Sequence, residues 1–368
     1  MKIGINLMGE PRLRAGTGRF AYELIDAISR IENEHTWIIF CPSAYANSLK
    51  LNEKFTVVSV QCGESTISRR ITEQVVLPFK ARQHSIDYMF STNNIAPVLL
   101  GRKNCPAILD TARWRFPNPS KRLNELVVKL FVRLTAKASS KIVTISDFSK
   151  SEIIDLLGVE AEKVQVITLG VNLERFRCPR SDEVQDTIEN FLGEENLPYL
   201  MIHSSLQARK NHLRLLRAFK KSGFPGKLVI VGKESDQLKP IVSEISRLKL
   251  NEKVLLLGFL DDDVLIQILS KCFFYVFPSL YEGAGLTPLE AMACGRAVLA
   301  SNIPPIKEYC NNNFYAVNPN NVNSIAEGIK MLYTNDNLRA DFEKRGREFV
   351  KKYDWTKTAK QLIDILEK

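Results

Sequence analysis

CFFYVFPSLYEGAGLTPLEAMACGRAVLASN, residues 272–302, reads as strand, loop, helix and strand. CFFYVFPS (272–279) and RAVLASN (296–302) are short apolar runs of the kind that form buried strands. Between them Leu289, Met292 and Ala293 make the buried face of a helix that starts near Thr287–Pro288, proline being favoured in a first turn. Glu282 and Glu290 have seven residues between them, with Gly283-Ala284-Gly285 directly after the first. Glu282 therefore lies in the loop and Glu290 about one turn inside the helix. Backbone N–H groups of such a loop, with the helix N-terminus, form an anion site. The two carboxylates suit vicinal hydroxyls, as on a sugar or a ribose. The plain alternative is a glycine-rich turn with two solvated glutamates.

The same alternation extends in both directions. Strand-like runs recur at 2–8, 36–42, 55–60, 86–92, 105–110, 141–146 and 164–170, and again at 198–205, 226–233 and 253–259. Amphipathic stretches such as Thr17–Ile31 separate them, and Ser146 or Asp147 is placed to cap a helix ending near Leu157. Strand-then-helix order implies parallel sheets covered by helices on both faces. Residues 172–198 are polar with two prolines, consistent with a connection containing one helix. The expectation is an α/β protein of two Rossmann-like domains, 1–175 and 176–354, facing each other across a cleft. The amphipathic helix 355–368 is expected to pack back on the first domain.

Composition narrows the class. The 368 residues are 45% hydrophobic and 25% charged, an ordinary globular mixture. No leader segment or run of membrane-spanning length is evident, and seven scattered cysteines without a C-x-x-C suggest free thiols in a reducing compartment. A cytoplasmic protein is expected, with the inner face of the plasma membrane as a surface it could touch. Net charge is +10, and residues 101–141 hold ten Lys/Arg against only Asp110 and Glu125. There Arg113, Trp114, Arg115 and Phe116 interleave cations with aromatics, and 123–138 follows as a cationic amphipathic helix. An anionic membrane surface or a lipid-diphosphate acceptor fits that segment. Equally, its apolar face could be core and its cations solvated. No nucleic-acid recognition motif accompanies it.

Two further loops join the first. Arg209 and Lys210 follow a strand and precede an amphipathic helix, where a phosphate would need neutralising. Gly16 and Gly18 follow the first strand, where glycine lets backbone approach a ligand. Together with TISDFSKSEI (144–153), ITLGVNLERF (167–176), RKN (209–211), VGK (231–233), GFLDDDVL (258–265) and YDWTKTAKQL (353–362), these segments resemble the retaining glycosyltransferases of family 4, with GT-B architecture. The resemblance covers almost the whole chain, and the E-x7-E segment is its most specific part.

That resemblance implies a nucleotide-sugar donor held by the second domain and a glycan or lipid-linked acceptor by the first. It implies that Glu282 contacts the donor sugar, with Gly283, Ala284, Gly285 and Leu286 offering amides nearby. Glu290 would hold the ribose, and Lys210 with Arg209 the diphosphate. Gly16 would approach that diphosphate, and Phe259 and Leu260 would lie beside the base. No enzymic nucleophile, cofactor or essential metal is implied; GDP-mannose is favoured among donors, and bacterial surface polysaccharide among pathways. Ser204 stands where relatives often carry Arg, Leu109-Asp110 where His-Asp is common, and Asn172 where Asp is common, so Asp110 and Arg113 enter only as acceptor or sugar candidates. Asp261-Asp262-Asp263 imitates a metal motif but sits where a helix would be capped. The four histidines show no ligand spacing. GTGRFA lacks the acidic partner of a dinucleotide fingerprint, which argues against a dehydrogenase. A sugar-nucleotide epimerase of the same architecture and a non-catalytic carbohydrate- or polyanion-binding protein remain as alternatives.

Overall fold

The computed structural model describes residues 1–9, 16–46, 49, 51–117, 122–177 and 197–368. Residues 178–196 of the expected connection, Lys121 and Cys178 lie outside the described residues. The chain divides into two compact units, Met1–Gly170 with Asp354–Lys368, and Val171–Tyr353.

Unit 1 holds β1 (Lys2–Asn6), β2 (Thr36–Pro42), β3 (Phe55–Val60), β4 (Tyr88–Ser91), β5 (Asn104–Pro106), β6 (Ile142–Thr144) and β7 (Val164–Val166). Five form a parallel sheet in the order β3-β2-β1-β4-β5, and a parallel bridge from Ala107 to Val143 carries it on to the β6-β7 pair. β2 is buried at every position after Thr36, as a strand covered on both faces must be. Its helices are α1 (Thr17–Arg30), α2 (Ser43–Ala46), α3 (Thr66–Gln83), α4 (Ala112–Arg115), α5 (Arg122–Ala138) and α6 (Asp147–Leu157). Ser146 caps α6, its hydroxyl accepting from Ser149 N–H, and Gly158 closes it in the left-handed conformation. The C-terminal helix Trp355–Glu367 packs on α1, with the Phe20 and Trp355 ring centroids 6.2 Å apart. Gly170 is required there, because a Cβ would lie 2.2 Å from Trp355 N.

One face of α5 is core: Val132 and Ala136 pack with Ile108, Ile142 and Ile153. Leu123, Leu126, Leu130 and Leu134 of the same helix are exposed. The helix is thus apolar on two sides, and core packing accounts for one of them.

Unit 2 holds β8 (Tyr199–His203), β9 (Lys227–Val231), β10 (Val254–Gly258), β11 (Phe274–Phe277), β12 (Val298–Ser301) and β13 (Tyr315–Val317) in the order β10-β9-β8-β11-β12-β13, all parallel. Between and after them run α7 (His212–Ser222), α8 (Leu238–Arg247), α9 (Asp262–Lys271), α10 (Leu286–Ala293), α11 (Pro304–Cys310), α12 (Val322–Thr334) and α13 (Asp336–Val350). Leu200, Ile202, Phe274, Val276 and Leu299 of the strands meet Leu215, Leu216 and Ile329 of the helices in one core. This is the doubly wound strand order, in which the sense of strand succession reverses between β8 and β11.

Candidate active site

In sheets of this kind ligands bind beyond the carboxyl ends of the strands, at the point where the order reverses. In unit 2 that point is flanked by the loops after β8 and β11, which carry Arg209-Lys210 and Glu282. Two hydrogen bonds stitch the two loops together, and a third ties them to the segment after β13. Leu280 N–H donates to the Arg209 carbonyl at 2.7 Å. Asn211 Nδ2 donates to the Pro278 and Pro319 carbonyls, both at 2.8 Å. Asn211 holds a left-handed conformation at φ 66°, which asparagine tolerates better than most residues.

On this frame Lys210 Nζ donates to Glu282 Oε1 at 2.7 Å, and Arg209 Nη1 to Glu282 Oε2 at 3.0 Å. Arg209 is oriented further by Gln207 Oε1 at 3.1 Å and the Tyr281 carbonyl at 3.1 Å. Lys210 Nζ also lies over the Phe277 ring, 5.1 Å from its centroid. Lys210 and Glu282 are only 8% and 7% exposed. Burial by itself would raise the Glu282 carboxyl, but the charges of Lys210 and Arg209 outweigh it and hold the group below the usual carboxylate range. One carboxylate does not neutralise two cations. The cluster therefore keeps positive charge at a strand end, the chemistry that a diphosphate requires.

α10 presents its N-terminus beside this cluster. Gly285 is its N-cap, and a Cβ there would press on Tyr309 Cβ at 3.2 Å. Gly283 is buried, Ala284 and Leu286 half-buried, and Glu290 buried inside the helix. Both carboxylates act on buried Tyr275 of β11, whose phenol is pushed up mainly by burial and further by Glu290 and Glu282. The Tyr275 hydroxyl is bound to the His203 backbone, accepting from N–H at 3.2 Å and donating to the carbonyl at 3.1 Å.

Ser204 Oγ, at the end of β8, lies 3.1 Å from His212 Nε2. His212 is buried at the start of α7. Its pKa is pushed down to about 4, chiefly by burial and secondarily by Lys210, so the ring is neutral near pH 7. Gly258, at φ 66°, ends β10, and its carbonyl accepts from Gly232 N–H at 2.7 Å. Phe259 follows, exposed, with Leu260 half-buried, an open ring beyond the strand end.

The remaining candidates belong to unit 1. Gly16 is the N-cap of α1 at φ 58°, with nothing within 4 Å of where a Cβ would stand, and Gly18 is buried in that helix. Asp110 Oδ1 accepts from Ala112 N–H at 3.0 Å, and Arg113 pairs with Glu125 at 2.7 Å. Asp261 occupies the N-cap of α9 but makes no side-chain capping bond; Asp262 instead pairs with Arg175. Asp262 and Asp263 stand in the first turn of α9, where the helix dipole favours acidic side chains, as the sequence suggests. Among the described residues no group of three His, Cys, Asp or Glu side chains is placed to hold a metal ion. The sequence reading missed Asn211, Tyr275 and His212 as parts of the site. The tripeptide RKN signals the first, but nothing local signals the other two.

A parallel-sheet unit with a cation–carboxylate cluster at its switch point defines the class, and comparison with known proteins makes it specific. Residues 14–175 match the family "Glycosyltransferase Family 4" and residues 184–349 match "Glycosyl transferases group 1". The chain belongs to the family 4 glycosyltransferases of GT-B type. It is 30% identical over 233 residues to the Serotype-specific mannosyltransferase WbdA of Escherichia coli, covering 61% of this chain and 28% of that one. It is 26% identical over 248 residues to the N-acetylgalactosamine-N,N'-diacetylbacillosaminyl-diphospho-undecaprenol 4-alpha-N-acetylgalactosaminyltransferase of Campylobacter jejuni, covering 66% and 64%. These matches span less than two thirds of the relatives' lengths. Anabaena Alr3699/HepE, solved with UDP and glucose, shares the fold at a TM-score of 0.78 and 18% identity, covering 100% of this chain and 99% of that one.

Proposed function

We propose that this chain is a retaining hexosyltransferase that moves a sugar from a nucleotide donor, GDP-mannose favoured, to a hydroxyl of a lipid-linked or surface-polysaccharide intermediate. The observation that carries the reading is the buried Lys210–Glu282–Arg209 cluster at the switch point of unit 2. Lys210 and Arg209 bind the diphosphate and stabilise it as it leaves, the electrostatic contribution that dominates such transfers. These two cations, without an essential metal ion or cofactor, carry the phosphate charge. Glu282 orients the sugar hydroxyls, the amides of Gly283 to Leu286 face sugar and phosphate, Glu290 holds the ribose, and Phe259 with Leu260 flanks the base. Ser204 orders the phosphate side of the loop through His212. Asp110 and Arg113 serve the acceptor.

The bond from the anomeric carbon to the phosphate oxygen breaks, with its electron pair leaving on the nucleoside diphosphate. The acceptor oxygen bonds to the same face, and its proton passes to the departing phosphate. Two relatives support the glycan class by their names, one a mannosyltransferase and one acting on a diphospho-undecaprenol substrate. The test is thermal stabilisation by GDP, UDP, dTDP and ADP with their common sugar conjugates, with and without EDTA. One nucleotide should stabilise the protein in EDTA, and Lys210→Ala and Glu290→Ala should reduce the shift. No shift with any nucleotide, or one that needs metal, overturns the reading.

A further inference from the structure

We propose that unit 1 carries a bilayer-docking face built from α3, the Val98–Lys103 turn and α5, and that its partner is an anionic lipid surface. The proposal goes beyond the sugar-transfer reading and does not depend on which donor is used.

On α3, Ile67, Ile71, Val75 and Phe79 recur every four residues and so form one stripe along the helix. All four are exposed, Ile67 at 72% and Phe79 at 62%, while Leu77 and Ala81 on the other side are in the core. On α5 the exposed stripe is Leu123, Leu126, Leu130 and Leu134, with Leu123 at 77%. Leu99 of the intervening turn is 65% exposed.

These are not separate features. The turn packs against both helices. Gln74 of α3 donates to the Ala96 carbonyl at 3.1 Å and accepts from Val98 N–H at 3.0 Å. Thr135 of α5 exchanges two hydrogen bonds with the Ala96 backbone, each 3.2 Å. The same peptide segment therefore anchors both helices. Of the twenty large apolar side chains exposed among the described residues, eleven lie on these three elements. Scattered apolar residues are normal on a surface, but a contiguous group marks an interaction site.

Charge identifies the partner. The acids of these elements are Glu73 and Glu125. Both are buried and ion-paired, Glu73 with Arg70 at 2.6 Å and Glu125 with Arg113 at 2.7 Å. Arg82, Arg102, Lys103, Arg133 and Lys137 are exposed. Large aliphatic side chains among exposed cations, with every acid withdrawn, complement anionic headgroups over an acyl boundary. A transferase whose acceptor is lipid-linked would gain from a face that holds unit 1 at the bilayer.

The experiment is flotation of the full-length protein with phosphatidylcholine vesicles and with the same vesicles carrying phosphatidylglycerol. Binding is expected to the anionic vesicles and to weaken with added salt. The pairs Ile71→Ser/Phe79→Ser and Leu126→Ser/Leu130→Ser should each lower partitioning roughly tenfold or more. Arg133→Gln/Lys137→Gln should lower it about 25-fold, at about fivefold per cation. These side chains are exposed, so the melting temperature should stay at the wild-type value, and nucleotide stabilisation through Lys210 is measured on the same samples to separate docking from donor binding. Absence of flotation overturns the proposal, as does flotation that survives both apolar pairs. A concentration-dependent dimer that both apolar pairs abolish, seen by light scattering in place of vesicle binding, would make the face a contact between two copies and also overturn it.

Discussion

Lys210→Met removes an ammonium 2.7 Å from a carboxylate while keeping most of the side-chain volume. Lys210 and Glu282 side chains are each 10% exposed, so the cut leaves a largely buried charge. Removing one member of a buried ion pair costs about 3–5 kcal/mol. Arg209 still holds the other carboxylate oxygen at 3.0 Å, which places the expected loss at the low end, about 3 kcal/mol. Glu282→Gln leaves two cations facing an amide and should cost at least as much, about 3–5 kcal/mol. The double variant should recover about 2 kcal/mol relative to the sum, because each change removes the reason the other is costly. Unit 2, Val171–Tyr353, falls in the size range where 1 kcal/mol moves the melting temperature by about 2–4 °C, so Lys210→Met should lower it by about 6–12 °C. All three tryptophans, Trp37, Trp114 and Trp355, lie in unit 1. Far-UV circular dichroism should therefore register the loss while tryptophan fluorescence stays near its wild-type midpoint. Costs that add to within about 0.5 kcal/mol would refute the coupling and the reasoning built on it.

Neutral His212 gives a pH signature. Its folded pKa of about 4 lies below the ordinary value of 6.5, so between these limits the unfolded chain binds a proton that the folded chain does not. Stability should accordingly fall as pH drops, by about 2 kcal/mol at pH 5, and His212→Asn should flatten that part of the profile in denaturant titrations. Asn211→Ala leaves two buried carbonyls unsatisfied and a non-glycine residue at positive φ; a loss of about 3–5 kcal/mol is expected in the same titrations, with weaker nucleotide stabilisation. Gly232 has φ 152°, and a Cβ would lie 1.9 Å from the Ser204 carbonyl oxygen. Gly232→Ala should thus cost about 3 kcal/mol or more and shift the nucleotide-binding midpoint; a wild-type unfolding curve would contradict it.

Much of the architecture was legible because parallel strands buried on both faces leave unbroken apolar runs. TWIIFCP and FTVVSV coincide with β2 and β3, and Trp355–Glu367 with the C-terminal helix. α3 was not read, because its interior Pro78 and its outward Ile67, Ile71, Val75 and Phe79 obscure the usual amphipathic pattern. β13, only Tyr315–Val317, is too short to show a period. On α5 the helical spacing was plain, but which apolar side faced the core was not.

Local chemistry by itself determined the alternation of strands and helices, the loops that carry Arg209-Lys210 and Glu282, and the concentration of cations in 101–141. Glycine, proline and apolar spacing act over a few residues, and such signals survive in a linear reading. Only the tertiary structure decided that Lys210, Arg209 and Glu282 form one buried cluster, since about seventy residues of chain separate them and their contact depends on β8 and β11 being neighbours. It alone decided the state of His212, because burial comes from the surrounding fold and not from the residue. It likewise joined α3 to α5 through Ala96, a surface no single segment contains.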